Sequence, residues 1–110
     1  MRTEFRIGGD KYSLVGTLGA LEGIAETDED LNLYMVAANM AIPRLFNLKQ
    51  LVAIFVEGLR AAGEELTADK AIEQLGVYPA SKIAVQFLNE ALKHPEDKNP
   101  GNVLEEAVDS

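Results

Sequence analysis

Between Asn47 and Gly63 the apolar side chains recur at helical spacing: Leu48, Leu51, Val52, Phe55 and Leu59 form one stripe, widened by Ile54 and Val56. At about 100° per residue this confines Lys49, Ala53, Glu57 and Arg60 to a narrow polar edge. A helix with so wide an apolar face must be surrounded by other elements, so the fold is built around residues 48–62. Asn47 can cap its start by accepting from first-turn N–H groups, and Gly63 can end it in the left-handed conformation.

What surrounds it is also patterned. Phe5 and Ile7 alternate with Glu4 and Arg6, Gly8-Gly9-Asp10 tolerates the positive φ of a tight turn, and Tyr12 and Leu14 resume the alternation, which predicts a β-hairpin over 4–16. A lone hairpin is marginal in water, so its Phe5, Ile7, Tyr12 and Leu14 face needs a helical support. Thr17 caps a short helix at 18–25, in which Gly19 and Gly23 each cost roughly 1 kcal/mol relative to Ala. Asp28-Glu29-Asp30 is expected to open a helix at 29–40, with acids where the helix dipole favours them. Thr67 caps 68–75, which Gly76 ends, and Pro79 suits the first position of a helix at 79–93, with Ile83, Ala84, Phe87, Leu88, Ala91 and Leu92 inward.

The prediction is therefore an α+β, predominantly helical fold: an N-terminal β-hairpin on a bundle of four to five helices. One globular domain spans residues 1–93, and an acidic tail at 94–110 carries a single apolar turn at 103–108. For 110 residues without Cys, one core suffices, since a chain of this size buries about two thirds of its unfolded surface.

Charge and composition then exclude whole classes of chemistry. With 18 Asp plus Glu against 10 Lys plus Arg, the net charge of −8 repels phosphate backbones, and nucleic-acid binding is not expected. The absence of Cys excludes thiolate nucleophiles and cysteine-ligated zinc. The start at Met1 lacks an apolar h-region and the longest apolar run is Leu51 to Val56, so neither a signal peptide nor a membrane span is expected.

Candidate catalytic and metal sites fare no better. Asp28, Asp30 and Asn32 match the first odd positions of a calcium loop, but Leu33 stands where the loop needs Gly and Asn39 where it needs Glu. Gly8-Gly9 and Gly16, Gly19 and Gly23 have no Lys-Ser/Thr ending and match no phosphate loop. Ser13, Ser81 and Ser110 share a single His94, beside Pro95, too little for a Ser-His-acid triad. Glu64-Glu65 and Glu105-Glu106 read as solvated pairs. No cofactor, metal or enzymatic activity is expected.

The helix at 29–40 carries two apolar stripes, Leu31, Tyr34, Met35 and Ala38 on one side and Leu33, Val36 and Met40 on the other. Either it is sandwiched and buried all round, or Leu33, Val36 and Met40 form an exposed partner-binding stripe. The candidate partner-binding residues are then these three, or a groove beside Leu45 and Phe46.

Three blocks carry a family resemblance: Phe5-Arg6-Ile7-Gly8-Gly9-Asp10-Lys11-Tyr12-Ser13-Leu14, Thr17-Leu18-Gly19-Ala20-Leu21-Glu22, and the run from Leu51 through Leu59-Arg60-Ala61-Ala62-Gly63. In this order they resemble the small tail proteins of phages and gene transfer agents described as tail assembly chaperones. The similarity covers about residues 3–93, leaving out 41–46 and the acidic tail. It implies a non-enzymatic protein of the bacterial cytoplasm that binds the tape-measure protein or the tail-tube protein. An alternative label in the family is a structural tail-tube component, which would be virion-associated. Apart from the resemblance, the residues also allow a small acidic adaptor unrelated to phage. A homo-oligomer built on the apolar stripe stays open as well.

Overall fold

The computed structural model describes residues 2–26, 32–40, 42 and 46–93. In chain order these form β1 (Arg2–Ile7), β2 (Asp10–Val15), α1 (Leu18–Ala25), α2 (Leu33–Met40), α3 (Leu48–Ala62), α4 (Ala68–Leu75) and α5 (Val77–Lys93). The architecture is α+β and mainly helical, an antiparallel hairpin packed on five helices. The acids Asp28, Glu29 and Asp30, the candidate Leu45, and the tail at 94–110 with its turn at 103–108 lie outside the described residues. No helix among the described residues is long and apolar enough to cross a membrane.

The hairpin register pairs Ile7 with Asp10, Phe5 with Tyr12 and Thr3 with Leu14. The turn is therefore the two residues Gly8-Gly9, and Gly8 adopts φ 63°, a conformation that costs glycine little. Phe5 stacks on Tyr12 across the strands at 5.8 Å between ring centroids and meets Phe55 of α3 edge-on at 5.8 Å. Those contacts seat one face of the hairpin on the central helix. The strands begin two residues before the expected hairpin. On β2 the burial is not one-sided, since Ser13 and Val15 are buried along with Leu14.

Helix α3 runs as its pattern predicts. Asn47 Oδ1 accepts from the N–H groups of Lys49 (2.9 Å) and Gln50 (3.3 Å). At the other end Gly63, at φ 75°, donates to the Arg60 carbonyl, and Glu64 N–H donates to the Leu59 carbonyl at 3.0 Å. This pair of bonds is the Schellman arrangement, and it throws the Glu64 side chain back toward the hairpin. There Glu64 Oε2 accepts from the Ser13 N–H at 2.9 Å. Ser13 pairs opposite Glu4, one residue from the Phe5–Tyr12 pair and three from the Ile7–Asp10 pair. Its N–H belongs to the outward-facing set on β2, and a carboxylate from 51 residues away satisfies it. Glu64 is thus a structural acceptor and not the solvated acid expected from its neighbour. Glu64→Ala is expected to lower stability by about 1 kcal/mol, measured by chemical denaturation, because a part-buried donor loses its partner.

Two helix starts differ from expectation. α2 begins at Leu33, and Asn32 caps it, accepting at Oδ1 from Tyr34 N–H (3.0 Å) and Met35 N–H (3.4 Å). Its first turn holds no acidic residue, and a neutral side-chain oxygen in contact with the free N–H groups caps it. α5 begins at Val77 and not at Pro79, with the Ala80 N–H donating to the Gly76 carbonyl at 3.0 Å. Pro79 still lies in the first turn, where its missing N–H has no partner to lose. Gly76, at φ 93°, separates α4 from α5 without any longer linker.

The core is continuous through these elements. Phe55, Phe87, Leu14, Ile24, Leu51, Ile54 and Leu88 are its largest fully buried side chains. α3 packs on β2, α1, α4 and α5, while α2 packs chiefly on α5. That last contact leaves α2 at the side of the molecule, where its C-terminal end and the first half of α5 meet.

Candidate functional site

α2 has one covered face and one open face. Val36 (2 % exposed) and Met40 (5 %) are buried with Ala37, and Leu33 is half-buried against the core. Tyr34 (68 %) and Met35 (53 %), with Ala38, face outward. Leu33, Val36 and Met40 are therefore not an exposed stripe, because Val36 and Met40 are buried in the core and Leu33 is half-buried against it. Nor is the helix sandwiched, since its other side meets no covering element among the described residues. With both stripes apolar, periodicity alone could not say which one α5 would cover.

Two of the five candidate residues nonetheless reach a concave surface. Met40 at the end of α2 and half-buried Phe46 just before α3 form one wall of a groove, and Val77, Tyr78, Ser81, Lys82 and Val85 of α5 form the other. The five α5 positions fall on one side of the helix, since residues 78, 81, 82 and 85 follow the i, i+3, i+4, i+7 rule. The groove holds about 610 Å³, within the range of ligand and peptide pockets. Leu33 and Val36 are not among the described lining, Val36 lying in the core and Leu33 half-buried against it, and Leu45 is outside the described residues.

Its polar groups are few. Ser81, itself buried, donates its hydroxyl hydrogen to the Tyr78 carbonyl at 2.7 Å, one turn back along the helix. The hydroxyl is thus tied to the backbone rather than aimed into the groove. Lys82 Nζ lies 4.9 Å from the centroid of the Tyr78 ring, within the range of a cation–π contact. This holds a positive charge at the rim while the aromatic ring, 69 % exposed, offers its apolar surface. The described lining residues supply apolar surface, one aromatic rim and one cation.

Comparison with protein-family models, curated proteins and solved structures yields no match. The site must therefore be read from its own chemistry. The residues that sequence reasoning missed are Val77, Tyr78 and Val85. The signal was present: Val85 lies among Lys82, Gln86 and Asn89 on the polar side of α5, and with Val77 and Tyr78 it makes a second, short apolar stripe. A surface helix with a conventional inward face does not need that stripe for its own folding.

Proposed function

We propose that this protein is a non-enzymatic tail-morphogenesis protein of a phage or gene transfer agent, an assembly chaperone that holds a helical segment of the tape-measure or tail-tube protein. The supporting observation is the groove between Met40, Phe46 and the Val77–Tyr78–Val85 side of α5. A tape-measure chain is long, helical and partly apolar. An amphipathic helix of such a chain laid into this groove would bury its apolar side chains against Met40, Phe46 and Val85, with Tyr78 as an anchor and an acidic residue beside Lys82. The net charge of −8 on the rest of the chain would keep the loaded complex soluble.

The test uses tape-measure fragments encoded beside this gene, with binding followed by calorimetry. Tyr78→Ala is expected to weaken binding about tenfold or more, the scale of an aromatic anchor, with the thermal midpoint little changed because the ring is exposed. Tyr34→Asp with Met35→Asp, on the open face of α2, is the control and should bind normally. The opposite pattern, binding lost in the control and kept in Tyr78→Ala, would overturn the groove as the site. Leu33→Asp or Met40→Asp would not test the groove cleanly, since Met40 packs in the core and half-buried Leu33 packs against it.

A second reading, a tail-tube subunit, draws on the two-stranded sheet. β1 has no strand beyond it among the described residues, and a strand from a neighbouring subunit could add there. Mass spectrometry of finished particles separates the two, with stoichiometric incorporation favouring the subunit and absence favouring the chaperone.

A further inference from the structure

The groove is lined on one side by the first half of α5, and the chain leaves the far end of the same helix at Lys93. The sequence beyond it contains a short apolar block, Val103, Leu104, Ala107 and Val108, with Glu105, Glu106 and Asp109 beside it. We propose that residues 103–108 of this chain occupy the groove when no partner is bound, so that the acidic tail is an internal competitor for the site. The competition rests on reading the groove as a partner site, whereas the docking itself does not.

Reach, pattern and charge each support this occupant. From Lys93 back to Ser81 the helix axis covers about 18 Å at 1.5 Å per residue. The intervening residues 94–102 can reach at most about 30 Å when extended, more than the distance they must cover. Reversal of direction is also provided for, since Pro95 cannot extend α5 for long and Pro100-Gly101 is a turn-forming pair. In a helical setting Val103, Leu104, Ala107 and Val108 fall within about 140° of one another, enough for one face against Met40, Phe46 and Val85. Lys82, the one cation lining the groove among the described residues, would meet the acids that flank that face.

Weak intrinsic affinity suffices. A short linker holds the segment at an effective concentration on the order of 1 mM, so a segment with a Kd of about 1 mM would fill the groove about half the time. A partner competing with it would see its apparent affinity reduced about twofold. Removing the competitor should restore that factor.

The experiment uses the full chain labelled at its methionine methyl groups. There are three methionines, Met1, Met35 and Met40. Met40 lines the groove, and Met35 on the open face of α2 serves as the internal reference. Leu104→Asp with Val108→Asp is expected to shift the Met40 methyl resonance, to leave Met35 in place, and to leave the thermal midpoint nearly unchanged. Adding a synthetic peptide of residues 102–110 to this variant should return Met40 toward its original position. In the unsubstituted chain the Met40 position should not depend on protein concentration. A Met40 resonance indifferent to the double substitution overturns the proposal, and one that varies with concentration overturns it in favour of a second copy of the chain in the groove. The partner reading is judged separately, by Tyr78→Ala: if tape-measure fragments bind neither form, the Met40 shift still decides whether the tail docks.

Discussion

Phe55→Ala is expected to remove about 3–5 kcal/mol of stability, the cost of truncating a fully buried aromatic residue. Phe55 is 0 % exposed and meets the ring of Phe5, which in turn stacks on Tyr12. Deleting it opens a cavity between α3 and the hairpin, at the one place where the two-stranded sheet, marginal by itself, is anchored by aromatic contacts. Domains of this size are stable by roughly 5–15 kcal/mol, so the loss is a large fraction of the whole. The thermal midpoint should fall by at least about 12 °C, read by calorimetry or circular dichroism. A fall of only a few degrees would mean that the hairpin does not depend on α3 and that the described packing is wrong there. Tyr78→Ala removes an aromatic ring of similar size at an exposed position and should change stability by no more than about 0.5 kcal/mol.

The contrast between those two rings shows what was legible in the sequence. Phe55 sits in a run in which Leu51, Ile54 and Leu59 repeat its spacing, and local pattern is sufficient to bury it. The hairpin, α1, α3 and α4 were readable for the same reason, since each has a turn glycine or a Thr or Asn cap directly beside a periodic apolar run. The site was not readable in that way. α2 offers two apolar stripes, and only the arrival of α5 from more than thirty residues away decides that Val36 and Met40 go inward while Tyr34 and Met35 stay out. Met40 was a candidate as part of an exposed stripe, which it is not, and Phe46 as the side of a groove; both line the groove because they stand where α2 ends and α3 begins. Glu64 is the same kind of case. Its role depends on the Schellman turn bringing it to β2, and nothing in Glu64-Glu65 as a dipeptide announces that.

Gly16→Ala should destabilise by about 1–3 kcal/mol, as overpacking a rigid contact does. A Cβ at Gly16 would run into the Cβ of Ala91 and stand 3.3 Å from Cε1 of Phe87 and 3.4 Å from the Ala91 backbone. Both neighbours belong to α5 and are buried, and one of the obstructing atoms is main chain, so no side-chain rotation relieves the clash. Gly19, three residues on, gives the opposite sign. A Cβ there meets only Thr17 Oγ1, at 3.8 Å, and the position is exposed in α1, so Gly19→Ala should stabilise by up to about 1 kcal/mol through helix propensity. Gly23 lies between these cases, because the atoms in its way, at 2.6–2.9 Å, are the carboxylate end of Glu57, which can swing aside. Urea denaturation of the Gly16 and Gly19 variants should therefore place their midpoints on opposite sides of the parent protein. Equal midpoints would mean that β2 does not approach α5 as closely as described. Gly16 acts on the C-terminal half of α5 and Tyr78 on its first turn, so a loss of stability without a loss of partner binding at Gly16, and the reverse at Tyr78, would separate what holds α5 in place from what its outer side does.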